Sequence, residues 1–134
     1  MITEEGVIST DEVRVLIVDD QPAFRSAART VVALADGFTV EAEAETGEEA
    51  VARVDELRPG LVLMDINLPG INGIEATRRI TSEHPEVVVV LMSTYTAEDL
   101  PADAAACGAR TYVHKEDLFP DVLEAAWSSA DRPA

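Results

Sequence analysis

Five polar side chains stand where they could do chemistry together. Asp19 and Asp20 follow the apolar run Val13 to Val18, and Asp65 follows Leu61-Val62-Leu63-Met64. Ser93 closes the run Val87 to Met92, and Lys115 lies just past Arg110 to Val113. Three carboxylates gathered at one point repel one another by roughly 1–4 kcal/mol per pair, and a cation would relieve that repulsion. Hard oxygen ligands suit Mg²⁺, which keeps several waters and tends to bridge a phosphate. A carboxylate beside such an ion, a lysine and a hydroxyl is equipped for phosphoryl transfer. The carboxylate attacks, the metal and Lys115 absorb charge on the phosphoryl oxygens, and Ser93 donates a hydrogen bond to one of them. Each residue alone has an ordinary explanation, since Asp is common at strand ends. The case rests on all five sharing one edge.

A parallel sheet is what would place them there. Val13 to Val18 reads as a strand interrupted only by Arg14, and Pro22 follows at the first turn of a helix. Phe24, Ala27, Ala28, Val31, Val32 and Ala35 recur at helical spacing up to Gly37. Phe38 to Ala44 alternates strictly, which marks a strand with one wet face. Thr46-Gly47-Glu48-Glu49 is a capping box for a second helix, which Pro59-Gly60 breaks before the Asp65 strand. Pro69-Gly70 turns the chain, and a third helix runs from Gly73 to His84-Pro85, with Ile74 and Ile80 inward and Arg78 and Arg79 solvated. His84 reads as an exposed loop residue, because no second His or Cys has ligand spacing to it. A short helix is expected before Cys107-Gly108, then a brief strand, then a last helix from Asp117 to Ser129 carrying Val122, Leu123, Ala126 and Trp127.

Strand and helix thus alternate five times, which implies an α/β fold with a parallel sheet and helices on both faces. The first, third and fourth strands are apolar throughout and belong in the middle; the second alternates and the fifth is short, so these are edges. The flavodoxin-like order 2-1-3-4-5 satisfies that sorting. It puts the functional residues at the carboxyl ends of the strands, where open α/β sheets hold their ligands.

Composition narrows the partners. The chain has 134 residues, enough for one domain with a real core. Ten basic residues against twenty-six acidic ones give a net charge of −16, so direct binding to nucleic acid or to an anionic membrane is not expected. Residues 1–12 read as a flexible acidic tail, 13–129 as the domain and 130–134 as a C-terminal tail. The longest apolar runs are too short to span a bilayer. No secretory leader is visible and Cys107 is the single cysteine, so the expected location is cytoplasmic. Cys107 itself reads as a small core residue.

The motifs Val-Asp-Asp, Leu-Met-Asp-Ile-Asn-Leu-Pro-Gly-Ile-Asn-Gly, a strand-end Ser, and Gly-Ala-Arg-Thr-Tyr-Val-His-Lys resemble the receiver domain of bacterial two-component response regulators. The resemblance runs from Val13 to Trp127, and its wording is closest to receivers of regulators with a helix-turn-helix output domain. It implies that Asp65 is the phosphoacceptor, and that Asp20, Asp65 and the backbone carbonyl of Asn67 bind Mg²⁺, with Asp19 holding a metal-bound water. Ser93 and Lys115 would grip the phosphoryl group. Tyr112 matches the aromatic that turns inward when the hydroxyl residue engages phosphate. The implied partners are a sensor histidine kinase or phosphotransfer protein, and a downstream protein or second copy meeting the face formed by residues 97–129. Such a protein is a switch that promotes only its own phosphorylation and dephosphorylation, not an enzyme acting on other substrates.

Three positions depart from the usual pattern. Thr94 stands where Ala or Gly is common and could narrow access to the phosphate. Glu116 replaces the frequent proline after the lysine, which puts a cis bond there in doubt. Pro101 falls where the family's fourth helix is under way, so that helix is expected to start late or be distorted, and the segment Thr94 to Ala102 is expected to be mobile. The alternative function is a haloacid-dehalogenase-like phosphatase with an Asp nucleophile, but its two acids are spaced Asp-x-Asp and here they are adjacent. A flavodoxin-like nucleotide binder would need a glycine-rich phosphate loop after the first strand, and Asp-Asp-Gln-Pro is not one.

Overall fold

In the computed structural model five strands, β1 (Val13–Val18), β2 (Phe38–Ala44), β3 (Leu61–Asp65), β4 (Val88–Ser93) and β5 (Thr111–His114), form one parallel sheet. Its order is β2-β1-β3-β4-β5, as the burial pattern requires. The structure describes residues 12–94 and 100–130. The expected N-terminal tail therefore lies almost wholly outside the described residues, as does most of the segment expected to be mobile.

Alternation along the strands sorts the core into two layers. Val15, Ile17, Leu61, Leu63, Val88, Val90, Met92 and Val113 face α1 (Pro22–Leu34) and α4 (Pro120–Ala130). Leu16, Val18, Val62, Met64, Val89 and Leu91 face α2 (Gly47–Leu57) and α3 (Gly73–Glu83). Every residue of β3 and β4 is buried, which is why those strands read as unbroken apolar runs.

Local chemistry fixes the helix ends. Thr46 accepts a hydrogen bond from the Glu49 amide at 3.0 Å, and the Glu49 carboxylate accepts one from the Glu45 amide at 2.9 Å. That is a capping box displaced by one residue. Asn72 caps α3 by accepting from the Glu75 amide at 2.9 Å. Gly73 opens α3 directly against the backbone carbonyl of Asp65, and any Cβ there would collide with it. The glycine thus lets the helix press onto the strand end that carries Asp65. Gly70, at φ +77°, turns the preceding loop under the Glu48 carboxylate, and that carboxylate accepts from the Ile71 amide at 3.1 Å.

Some expectations hold and others are corrected. The segment before Cys107 is a 3-10 helix of five residues, Ala102–Ala106; Pro101, at its N-terminus, accepts from the Ala104 amide at 3.0 Å. The last helix begins at Pro120 and not at Asp117, because residues Lys115–Asp117 form a separate 3-10 turn. The Lys115–Glu116 peptide is trans. Ala27 is exposed; Ala28 and Val32 carry the buried stripe of α1. His84 is buried as the last residue of the α3 cap, with Nε2 2.7 Å from Asp55 Oδ1. Sequence spacing does not show that partner, since it lies across a helix–helix contact. Trp127 is a core anchor, meeting the Phe38 ring edge to face at 6.4 Å, and Cys107 is buried.

Gly73→Ala is expected to lower the unfolding free energy by about 3 kcal/mol, the upper range for overpacking. Gly37→Ala serves as the control, since Gly37 has φ +84° but open space around it and should cost about 1 kcal/mol in backbone strain. Urea denaturation of both variants checks this, and an equal or smaller loss for Gly73→Ala would show that the helix does not press on Asp65.

Candidate functional site

The register of the sheet decides which groups meet. Ile17 pairs with Leu63, and two residues further along each chain stand Asp19 and Asp65, on the same face. Lys115 stands two residues beyond Val113 and is directed to that face as well, with Nζ 4.5 Å from the centre of the Phe24 ring on α1. The Lys115 ammonium lies 2.6 Å from Asp19 Oδ2 and 3.5 Å from Asp65 Oδ1. The loop after β1 holds Asp19 in place: its Oδ1 accepts from the Gln21 amide at 2.8 Å, and its carbonyl accepts from Arg25 Nη1 at 2.7 Å. Asp65 Oδ1 accepts weakly from the Asn67 amide at 3.4 Å.

Asp19 and Asp65 are buried, whereas Asp20 is exposed. Oxygen atoms of all three carboxylates lie within 4.8 Å of one another. At that spacing each pair repels by roughly 3 kcal/mol for an effective dielectric of about 20. Burial, and then the charge of Asp19, push the Asp65 carboxyl up to about 6, against a smaller opposing pull from Lys115. Three carboxylates against one ammonium leave two negative charges uncompensated. Asp19 Oδ2 is buried with no hydrogen bond of good geometry beyond that ion pair. An all-oxygen donor set with a charge deficit of two fits a divalent cation such as Mg²⁺.

A cleft of about 220 Å³ opens above the cluster, lined by Asp20, Gln21, Asp65, Asn67, Thr94 and Lys115. Thr94, the residue expected to narrow access, is thus one of the lining groups. Ser93 is buried and is not among the groups lining the cleft. It stands one residue past Met92, so its side chain belongs to the opposite face of the sheet from Asp65. Tyr112 is half-buried against the α2–α3 layer, and its hydroxyl donates to the Ser93 carbonyl at 3.4 Å. The structure therefore gathers Asp19, Asp20, Asp65, Asn67 and Lys115 at one point and sets Ser93 and Tyr112 beside it on the other face.

Sequence reading did not single out Phe24 as the floor beneath Lys115, or Gln21 and Arg25 as the groups that hold Asp19. The helical spacing of Phe24 placed it only in a core stripe. A second grouping, Asp55, Glu83 and His84, also brings donor atoms within 4.8 Å. Its carboxylates are exposed, and its imidazole is engaged as a helix-end hydrogen bond.

The raised Asp65 carboxyl has a consequence for stability. Between about pH 4 and pH 6 the folded protein keeps a proton on Asp65 that the unfolded chain has released. Stability from this group is therefore lost as pH rises through that window. Above it the penalty is up to about 3 kcal/mol. Asp65→Asn, which cannot ionise, should make the metal-free protein more stable than wild type by roughly 1–3 kcal/mol at pH 7. The advantage should vanish below pH 4. Urea denaturation in chelator from pH 4 to pH 8 checks both statements, and a variant less stable than wild type at pH 7 would contradict them.

Comparison with known proteins agrees with the geometry. Residues 15–126 match the family model of the response regulator receiver domain. The chain is 39% identical over 113 residues to the response regulator GacA of Pseudomonas protegens, covering 84% of this chain and 53% of that protein. It is 35% identical to the transcriptional regulatory protein DegU of Brevibacillus brevis, covering 88% of this chain and 50% of that one. The chain thus spans about half the length of these curated relatives. Among solved structures, the response regulator domain of Thermotoga maritima CheB superposes with a TM-score of 0.81 at 28% identity, over 92% of this chain and 99% of that one. A LuxR-family two-component response regulator from Aurantimonas sp. gives a TM-score of 0.79 at 30% identity, over 87% and 86%. These matches lend the haloacid-dehalogenase-like reading no support. By its motifs, its sheet order and the family match across most of its length, the chain belongs to the response regulator receiver domain family.

Proposed function

We propose that the chain is a phosphorylation-dependent signalling switch in which Asp65 accepts a phosphoryl group from a histidine kinase or phosphotransfer protein. The observation that carries this is the buried Asp65 carboxylate lining a cleft, beside Asp19, Asp20 and Lys115. Asp20, Asp65 and the Asn67 carbonyl would hold Mg²⁺, with Asp19 on a metal-bound water. The ion would neutralise phosphoryl oxygens and the local carboxylate repulsion.

The chain's own residues do the rest. An oxygen of Asp65 forms the new O–P bond while the donor's P–N or P–O bond breaks, and the departing group leaves with that electron pair. Lys115 shifts its ammonium from the carboxylates to a phosphoryl oxygen. Ser93 moves its hydroxyl toward another, which draws the end of β4 and favours inward packing of Tyr112. The downstream partner or second copy would read the face formed by residues 97–129. On this reading residues 13–129 are the receiver unit, and the chain promotes only its own phosphorylation and dephosphorylation. No described helix is long and apolar enough to cross a membrane, and a cytoplasmic location accompanies the proposed kinase partner.

The test is direct labelling. Incubation with acetyl phosphate and Mg²⁺ should add one phosphoryl group to the peptide containing Asp65, read by mass spectrometry. Asp65→Asn should reduce that to background, because an amide is no substitute for the nucleophile. A label on a different residue, or one that persists in Asp65→Asn, would overturn the assignment.

A further inference from the structure

On β5, Tyr112 and His114 are two residues apart and project to the same face. His114 pairs in register with Ser93, so that face is also Ser93's. Both side chains reach across to the end of β4. The Tyr112 hydroxyl donates to the Ser93 carbonyl at 3.4 Å, and His114 Nε2 lies 2.9 Å from the Thr94 carbonyl oxygen.

A carbonyl only accepts, so Nε2 carries the proton of this bond. The other ring nitrogen is also engaged: Nδ1 accepts from the Glu116 amide at 3.1 Å, capping the turn Lys115–Asp117. A neutral imidazole in the Nε2–H form satisfies both contacts at once. It joins the backbone just past Ser93 to the turn that begins with Lys115.

The joint matters because the groups assigned to the phosphoryl oxygens come from different strands. The ladder between β4 and β5 ends at the pair Ser93 and His114. The imidazole supplies the next cross-connection, one residue further toward the cleft, and Thr94 itself lines that cleft. We infer that His114 is a positioning residue for the phosphoryl site, its Nε2–H bridge to the Thr94 carbonyl setting the spacing between the Ser93 end of β4 and the Lys115 turn. This rests on the reading of Asp65 as phosphoacceptor.

Three substitutions separate the bridge from the cap. His114→Asn keeps an acceptor where Nδ1 sits, His114→Gln keeps a donor where Nε2 sits, and His114→Leu keeps neither. Thermal melts establish that each is folded. The tautomer of wild-type His114 is read from its imidazole ¹⁵N shifts, and the rate of phosphoryl uptake at Asp65 from acetyl phosphate with Mg²⁺ is measured for all four proteins. The expected result is the Nε2–H tautomer and a His114→Gln rate near wild type. His114→Asn and His114→Leu should be slower by about two- to tenfold, the range of one hydrogen bond. An Nδ1–H tautomer, a wild-type rate in His114→Asn, or an unchanged rate in His114→Leu would overturn the inference while leaving the phosphoacceptor reading intact. Absence of any uptake at Asp65 in wild type would overturn that reading, and the inference with it.

Discussion

The Lys115 ammonium is shared between two buried carboxylates, and much of the fold exists to keep it there. It sits 2.6 Å from Asp19 and 3.5 Å from Asp65, with the Phe24 ring beneath it. One positive charge cannot neutralise those two acids and Asp20 together. Burial of Asp19 and Asp65 against the apolar layers around β1 and β3 lowers the local dielectric, which strengthens attraction and repulsion alike. A site of this kind is held under electrostatic tension by packing, and it gains stability from whatever brings positive charge to it. Gly73 packs against the Asp65 carbonyl, and Gln21 and Arg25 tie the Asp19 loop.

The sheet divides the working residues into two rows. Asp19, Asp65 and Lys115 extend the row that faces α1 and α4, while Ser93, Tyr112 and His114 extend the opposite row. In the proposed switch, a charge change in the first row must pull Ser93 from the second. The end of β4 is the element common to both, and β5 holds it through carbonyls at Ser93 and Thr94. A local electrostatic event can thereby bias a surface on the far side of the sheet.

Much of this was legible in the sequence. Unbroken apolar strands ending in acids, an alternating second strand and a short fifth one gave the strand order and the cluster at its carboxyl edge. What was missed depends on contacts between elements that no local pattern encodes. His84 reads as a loop residue because its partner, Asp55, is on another helix. The last helix reads as starting at Asp117, three residues early, because Lys115 to Asp117 is polar enough to resemble a first turn yet folds as a separate 3-10 turn before the helix begins at Pro120. The side of the sheet that Ser93 takes follows from register, which sequence spacing alone does not carry. Nothing in the spacing around His114 marks it, and only the pairing of β4 with β5 shows that its two ring nitrogens join two loops.

The central claim is that the Asp19, Asp20 and Asp65 cluster is a divalent-cation site whose uncompensated charge weakens the metal-free protein. A magnesium titration of thermal stability tests it most directly, with wild type and Asp20→Ala measured side by side at pH 7 and constant ionic strength. Binding to the folded state alone should raise the wild-type melting temperature steadily through the millimolar range, by mass action. Asp20→Ala should lose most of that rise. A wild-type melting curve that does not move with magnesium, or one that moves equally in Asp20→Ala, would contradict the account.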